Sequence, residues 1–548
     1  MENSIRRHNI YLTLIYFFSH VFLLLASGKW WDDWCGMGLS LEEFSSWINQ
    51  MGRPDLIYQY YIYNYFPPYM YRIFTFLFFY TSMFCIGYIL KRVFRLDEES
   101  RFFICALYAT FPVNDCRMIF SVFPYTVGFF VYVAAFVQLV YMFSNKKMHI
   151  IGRCFNLCLF CLSFTLNSNL VYYLLVIFLI IYYERNKEKI NTIIIKYMDY
   201  LLLPILFFAA KSVFYTPYGS YAGYNAVSLF SLIKTLVYII PADFFVMINV
   251  LQNYFSIPPK MVLMILISLT ILCIYNHKKY LYINCKNGKI LSINYEKNNE
   301  SVTRSSVMLL AIGFVMLSLG LFAYVAVRQT FAINTVGLAG RDAILVAPSG
   351  AILTWWIVRN SMSKHVIPYV FALFVMCGTI HFNQYYIEYQ WDYYKQIGFQ
   401  YQLANHMELK KLRDIVYVNN DNRKINISSF YSLNANAELI YKNQERFIRD
   451  VDCQKSLKNM DGDINKFISN PIYHMSSYVS SSGNVDGILF YGFDATLKDV
   501  LLLKFYEYVN PRKFTEEIKK HSKMKVVDNP YLIEDFMNDY NISVFAKR

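Results

Sequence analysis

The stretch Trp30-Trp31-Asp32-Asp33-Trp34-Cys35-Gly36 sets two adjacent carboxylates among three tryptophans, directly after the first long apolar run. Aromatic walls lower the local dielectric and raise a carboxyl pKa, which suits Asp33 or Asp32 to act as a general base. Trp30 and Trp31 alone are also what an interfacial aromatic belt contains. A second short turn, Asn114-Asp115-Cys116-Arg117, offers another acid and a base; a capping or ion-paired turn would look the same. Cys35 and Cys116 each stand near one of these acids, and a disulfide between them would join the two turns. Cations come later in the chain. Arg328 ends one apolar run and Arg341-Asp342 begins the next, with Gly337 and Gly340 between them. Guanidinium groups bind phosphate bidentately, although Asp342 would equally neutralise Arg341. Lys211 lies inside an apolar run, where a charge is a functional candidate by default, although snorkelling explains some such charges.

Elements long enough to hold these groups at a membrane boundary are abundant. Apolar runs of spanning length predict helices over Asn9–Ser27, Pro68–Leu90, Met118–Phe143, Met198–Tyr215, Met261–Ile274, Ser306–Val327, Ala343–Val358 and Val366–Phe382. The run Gly152–Tyr183 is expected to divide at Asn167-Ser168-Asn169 into a hairpin, and Phe102–Val113 supplies one more crossing. Residues 233–255 are apolar enough to span, but a crossing there would turn the loop 277–305 outward. That loop carries Lys278, Lys279, Lys286, Lys289, Lys297 and Arg304, which argues for the inside. Residues 216–257 are therefore expected to form one external stretch with interfacial or re-entrant helices, interrupted at Pro241, Asp243 and Pro258-Pro259. The expected architecture is an α-helical polytopic membrane protein of about eleven crossings over residues 1–383, with the N-terminus cytoplasmic. Residues 384–548 form a small extracytoplasmic α/β domain. Strands are expected at Ile415–Val418, Ile488–Tyr491 and Ile542–Phe545, and helices over Glu388–Arg413 and Leu433–Arg449.

Composition agrees. The chain has 548 residues, of which 56% are hydrophobic, 19% aromatic and only 16% charged, against about 25% charged in soluble domains. A disordered chain, a collagen and an ordinary cytosolic enzyme are excluded. The formal charge is +14; residues 384–548 hold 22 Lys/Arg and 21 Asp/Glu, so the excess lies in the short loops of residues 1–383. That distribution sets membrane orientation and does not make a nucleic-acid surface. Cys154, Cys158 and Cys161 share one helix face in an apolar run and lack the polar surroundings of a zinc site. Arg6 and Arg7 precede a first run long enough to stay in the membrane, so no cleaved signal is expected. Walker, dinucleotide, HExxH and nucleophile-elbow motifs are missing, which favours a donor already attached to lipid over a soluble nucleotide.

With acids in the first external loop, Asp32-Asp33 followed by Gly36 and then Gly52-Arg53-Pro54, the chain resembles the GT-C class of membrane glycosyltransferases, and within it the Gtr-type O-antigen glucosyltransferases of bacteria and their phages. The motif covers about residues 30–55; the wider likeness is one of topology. The resemblance implies a bacterial inner-membrane enzyme with a periplasmic tail that moves glucose from undecaprenyl phosphate, a polyprenyl-phosphate donor, to lipid-linked O-antigen of lipopolysaccharide, with inversion. It implies that Asp33 or Asp32 is the catalytic acid-base group, with Asp115 a second-loop acid and Arg53 in support. Arg117, Lys211, Arg328, Arg341 and Asp342 are the remaining expected substrate-binding groups. Asp33 and Asp115 would hold Mg2+ or Mn2+ if a divalent ion is used. Tyr218, Tyr221 and Tyr224 could stack on sugar rings or simply line the interface. The expected partners are the lipid-linked donor, the polysaccharide acceptor and membrane lipids, with no nucleic acid. An O-antigen polymerase is the first alternative, though its arginine-rich outer loops are lacking; a flippase is the second, though most charges lie at the boundary and not at mid-membrane.

Overall fold

A computed structural model describes residues 2–30, 33–36, 38–67, 69–145, 149–223, 227–286, 304–419, 430–442, 447–450 and 485–529. The first apolar run folds as α1 (Glu2–Leu25), and the polar loop after it carries α2 (Leu41–Gln50) and α3 (Ile57–Tyr65). Ser40 starts α2 with a capping box: its hydroxyl accepts from Glu43 N while the Glu43 carboxylate accepts from Ser40 N, satisfying amides that a helix start leaves open. Then come α4 (Met70–Val93), α5 (Glu98–Thr110) and α6 (Phe123–Asn145). The run Gly152–Tyr183 divides where expected, into α7 (Ile150–Ser163) and the pair α8 (Ser168–Tyr172) and α9 (Leu174–Glu184). Asn169 drives the break, because its side-chain amide donates to the carbonyls of Ser163 and Gly128. The bundle is completed by α10 (Ile190–Lys196) and α11 (Met198–Phe214), bent 58° against each other, then α12 (Leu229–Tyr254), α13 (Pro259–Lys286), α14 (Arg304–Arg328), α15 (Val346–Ser361) and α16 (Ile367–Asn405).

The expected count of eleven crossings is not met. Among the described residues, six helices are long and apolar enough to cross a membrane, or seven if the bent pair α10–α11 is one span. The shortfall comes from local punctuation. The asparagine break leaves α7 below the roughly 17–25 residues a span needs and the α8–α9 pair at the lower end of that range. The 13 residues of α5 and the 16 of α15 are likewise short. The expectation of a broken stretch at 216–257 is also corrected: α12 runs continuously through Pro241. Its two ends nevertheless meet one extended segment. Gln329 Nε2 donates to Ser231 O and Asn253 Nδ2 donates to Thr335 Oγ1, with Phe331 on Tyr238 and Phe245 between.

Helix contacts are closed by small and polar groups. Buried His20 bridges Tyr386 Oη and the Ala109 carbonyl, and Ser19 meets Thr379, so α1, α5 and α16 are locked at one level. A Cβ at Gly378 would lie 2.0 Å from the Thr110 carbonyl oxygen, so only glycine permits this approach of α16 to α5.

The boundary expected at residues 383/384 falls inside α16, which has 39 residues and no break. Its far end enters the core of the tail, where Phe399 and Leu403 pack with Ile415, Tyr417, Leu489 and Tyr491. The tail adds β1 (Asp414–Asn419), α17 (Phe430–Tyr441), β2 (Phe447–Asp450), β3 (Gly487–Phe493), α18 (Leu497–Val509), α19 (Pro511–His521) and β4 (Ser522–Val527). The strand order is β2-β1-β3-β4, with β1 parallel to β2 and β3, and β4 antiparallel to β3. Two expected strands are found inside β1 and β3. The helix expected over Leu433–Arg449 stops at Tyr441 and gives way to β2. The strand expected at Ile542–Phe545 lies outside the described residues.

Candidate acidic site at the loop layer

Loops 26–36, 111–122, 253–257 and 329–345 gather at one end of the bundle through backbone-directed hydrogen bonds. Arg72 donates to the carbonyls of Ala26 and Gly28, Asn253 donates to Pro112 O, and Asn114 N donates to Thr335 O. Asn114 takes the left-handed conformation, φ 56°, and reverses the chain after α5.

Asp33 is buried and occupied. One carboxylate oxygen accepts from Ser121 N at 2.9 Å; the other accepts from Trp30 N at 3.2 Å and Phe120 N at 3.3 Å. Burial pushes its carboxyl up to about 6, against the pull of those three amides and of Arg72. Asp33 is thus the clasp between the first loop and the turn before α6. Its neighbour Asp32 lies outside the described residues, as do Trp31 and Tyr224.

Asp115 stands five residues before the Phe120 amide that Asp33 holds, and its environment differs. It is fully buried. Oδ1 accepts from Gly337 N at 2.9 Å, while Oδ2 has no hydrogen-bond partner among the described residues. Asn114 Nδ2 and Ser121 Oγ in the same turn are also buried without a partner among the described residues. Buried polar atoms are normally satisfied, and three of the exceptions fall within these eight residues. Burial pushes the Asp115 carboxyl up to about 7; amides and Arg117 oppose this, and the Glu388 charge adds to it. A Cβ at Gly340 would sit 3.2 Å from Asp115 Oδ1 and 2.7 Å from Thr335 O, so glycine is what lets the 337–341 turn close over the acid.

That turn delivers the cations. Arg328 donates to Asp342, and Arg341 Nε lies 3.9 Å from the other oxygen of the same carboxylate. The Arg341 guanidinium also sits over the Tyr125 ring, 5.9 Å from its centroid. Burial raises the Asp342 carboxyl, with Arg328 and Arg341 pulling it back. Arg53 forks onto Asp55 and donates to Thr165 O at 2.7 Å, while Lys211 Nζ meets Asn167 Oδ1 at 2.5 Å. Both cations therefore hold the turn between α7 and α8.

Arg117 is the expected site residue that faces away. Its guanidinium donates to Asn114 O and Val113 O and lies between the rings of Phe79 and Phe382, 4.4 and 4.5 Å from their centroids. It stabilises the turn from beneath and is not placed for a substrate. Cys35 and Cys116 form no disulfide: Cys35 packs with Leu39, Phe44 and Ile48, whereas Cys116 belongs to a separate cluster with Leu23, Trp30 and Met118. Of the two acids expected to share a divalent ion, Asp33 is engaged by amides through both oxygens and Asp115 through Oδ1 alone. No group of three or more His, Cys, Asp or Glu among the described residues is placed to hold a metal ion. Tyr221 is bound to Trp47 Nε1 through its hydroxyl at 2.9 Å.

Sequence reasoning missed Glu388, whose charge reaches Asp115 from α16, as well as Asn253 and Thr335. An acid one turn beyond Gln384 on the last helix was the available signal; nothing local marks Asn253. Compared with protein-family models, curated proteins and solved structures, the chain gives no match.

Proposed function

We propose that this chain is an inverting membrane glycosyltransferase of GT-C-like, Gtr-type character. It moves a sugar, glucose by the resemblance of its first loop, from a polyprenyl-phosphate donor to lipid-linked O-antigen or a related surface polysaccharide. It works at the outer face of a bacterial cytoplasmic membrane, with the N-terminus inside, as Arg6 and Arg7 ahead of the first span favour, and the tail outside. The observation that carries the reading is Asp115: a buried carboxyl with one oxygen fixed by Gly337 and the other unpartnered among the described residues, beneath the turn that bears Arg341 and Asp342.

In the step, Asp115 Oδ2 takes the proton of the acceptor hydroxyl. The hydroxyl oxygen bonds to the anomeric carbon on the face opposite the phosphate. The carbon–oxygen bond to phosphate breaks, and its electron pair leaves on polyprenyl phosphate. Arg341 and Arg328 stabilise the charge that develops there, as fixed cations do when aimed at a leaving group. Asp33 holds the turn in place, and no step runs through a metal.

The test is surface-polysaccharide analysis of cells carrying the intact chain, Asp115→Asn or no chain. A sugar branch that appears only with the intact chain supports the reading. Altered chain length without a branch makes the protein a polymerase. An unchanged glycan with lipid-linked sugar held on the cytoplasmic side makes it a transporter. One observation favours that last reading: Asp243, a buried acid inside α12, accepts from Ser318 and has its other oxygen unpartnered among the described residues, as ionisable groups on translocation paths often are.

A further inference from the structure

The helix α18 has two apolar faces. One is buried: Val500 and Leu503 pack with Trp391, Tyr394 and Phe493 in the tail. The other is not. Leu501, Leu502, Phe505, Tyr508 and Val509 fall at i, i+1, i+4, i+7 and i+8, which is one stripe of a helix, and all are exposed, Phe505 at 57% and Tyr508 at 67%. Five large apolar side chains in one exposed stripe mark an interaction surface.

Its position identifies the partner. Leu501 and Lys504 border a small gap with Phe22, Leu25 and Ala26, the last turn of α1 and the residue after it. A polar clamp fixes the helix there: Ser27 Oγ donates to Glu507, Lys504 Nζ donates to Ser27 Oγ and to Glu507, and Tyr394 Oη donates to Glu507 at 2.8 Å. The neighbouring α1 is a candidate span whose own outer face, with Phe17, Phe18 and Leu25, is exposed and apolar. The α18 stripe thus continues the apolar surface of a spanning helix at the level where that helix ends. Basic residues flank it, Lys498 at its start and Arg512 and Lys513 just beyond its end, the arrangement of helices lying in a lipid headgroup layer.

We infer that α18 is an interfacial helix whose Leu501–Phe505–Tyr508 face lies in the acyl boundary of the leaflet on the tail's side of the membrane, seating the tail on the bilayer. This does not depend on the transferase reading. The test uses the full chain in native membranes, with the photo-crosslinking residue p-benzoylphenylalanine placed at position 505 or 508. Position 18 on α1 serves as the lipid-facing control and position 519 on α19 as the solvent control. The expected result is phospholipid adducts at 505 and 508 by mass spectrometry, comparable to those at 18, and none at 519. Adducts to a second copy of the chain or to another protein, or no lipid adduct at 505 and 508 while position 18 is labelled, would overturn the inference.

Discussion

At the scale of single residues, Asp33 and Asp115 differ in how their oxygens are held. Asp115→Asn keeps the shape and removes the base, so transfer should fall by about 10²–10⁴ with little loss of folded protein, measured as initial rate against a lipid-linked donor. The pH profile carries the same signature. The Asp115 carboxyl sits at about 7, so kcat/KM should rise with pH through about 7, and the Asn variant should lose that limb. The sign for stability is opposite. A carboxyl raised on folding binds its proton more tightly in the native state, so its contribution is full below the ordinary 3.8 and is lost as pH rises through about 7. Asp33→Ala should behave differently again. It strands the buried amides of Trp30 and Phe120 and the part-buried amide of Ser121, and should lower stability by about 1–3 kcal/mol, seen as a reduced melting temperature in detergent. The sequence singled out both acids; what it did not carry is which amides claim their oxygens, because tryptophan neighbours signal burial and nothing finer. Arg117 misled for the same reason: its type suggested phosphate, and the carbonyls beneath it decided otherwise.

At the scale of elements, hydropathy located most helices of the membrane portion, since a run of apolar residues has few other ways to satisfy its backbone in a membrane, but not α2, α3 or α10. It failed where side chains intervene. Pro241 was expected to end a helix, yet α12 carries it, because packing along α14 and the 329–335 segment holds the ends in place. The α5–α16 crossing makes a sharp prediction. Gly378→Leu must force apart helices whose backbones touch, and overpacking of that kind costs about 1–3 kcal/mol. Thermal denaturation of the purified protein should show it, and Gly152→Leu, in looser surroundings, should not.

At the scale of the whole molecule, the division into membrane and tail portions was legible from charge and hydropathy, but the join was not. Nothing in residues 377–390 signals that one helix serves both. Because Phe399 and Leu403 belong to the tail core, a fragment of residues 384–548 should retain the sheet, whereas one of residues 406–548 should collapse or aggregate; circular dichroism and hydrogen exchange would distinguish them. The 39 residues of α16 amount to about 58 Å of continuous helix, roughly twice the hydrocarbon thickness of a bilayer. A rod of that length works as a gauge. The height of the sheet above the lipid is fixed by where the rod sits in the bilayer, so acyl chains of a different length would raise or sink the acidic layer relative to the headgroups while leaving every contact inside the protein unchanged.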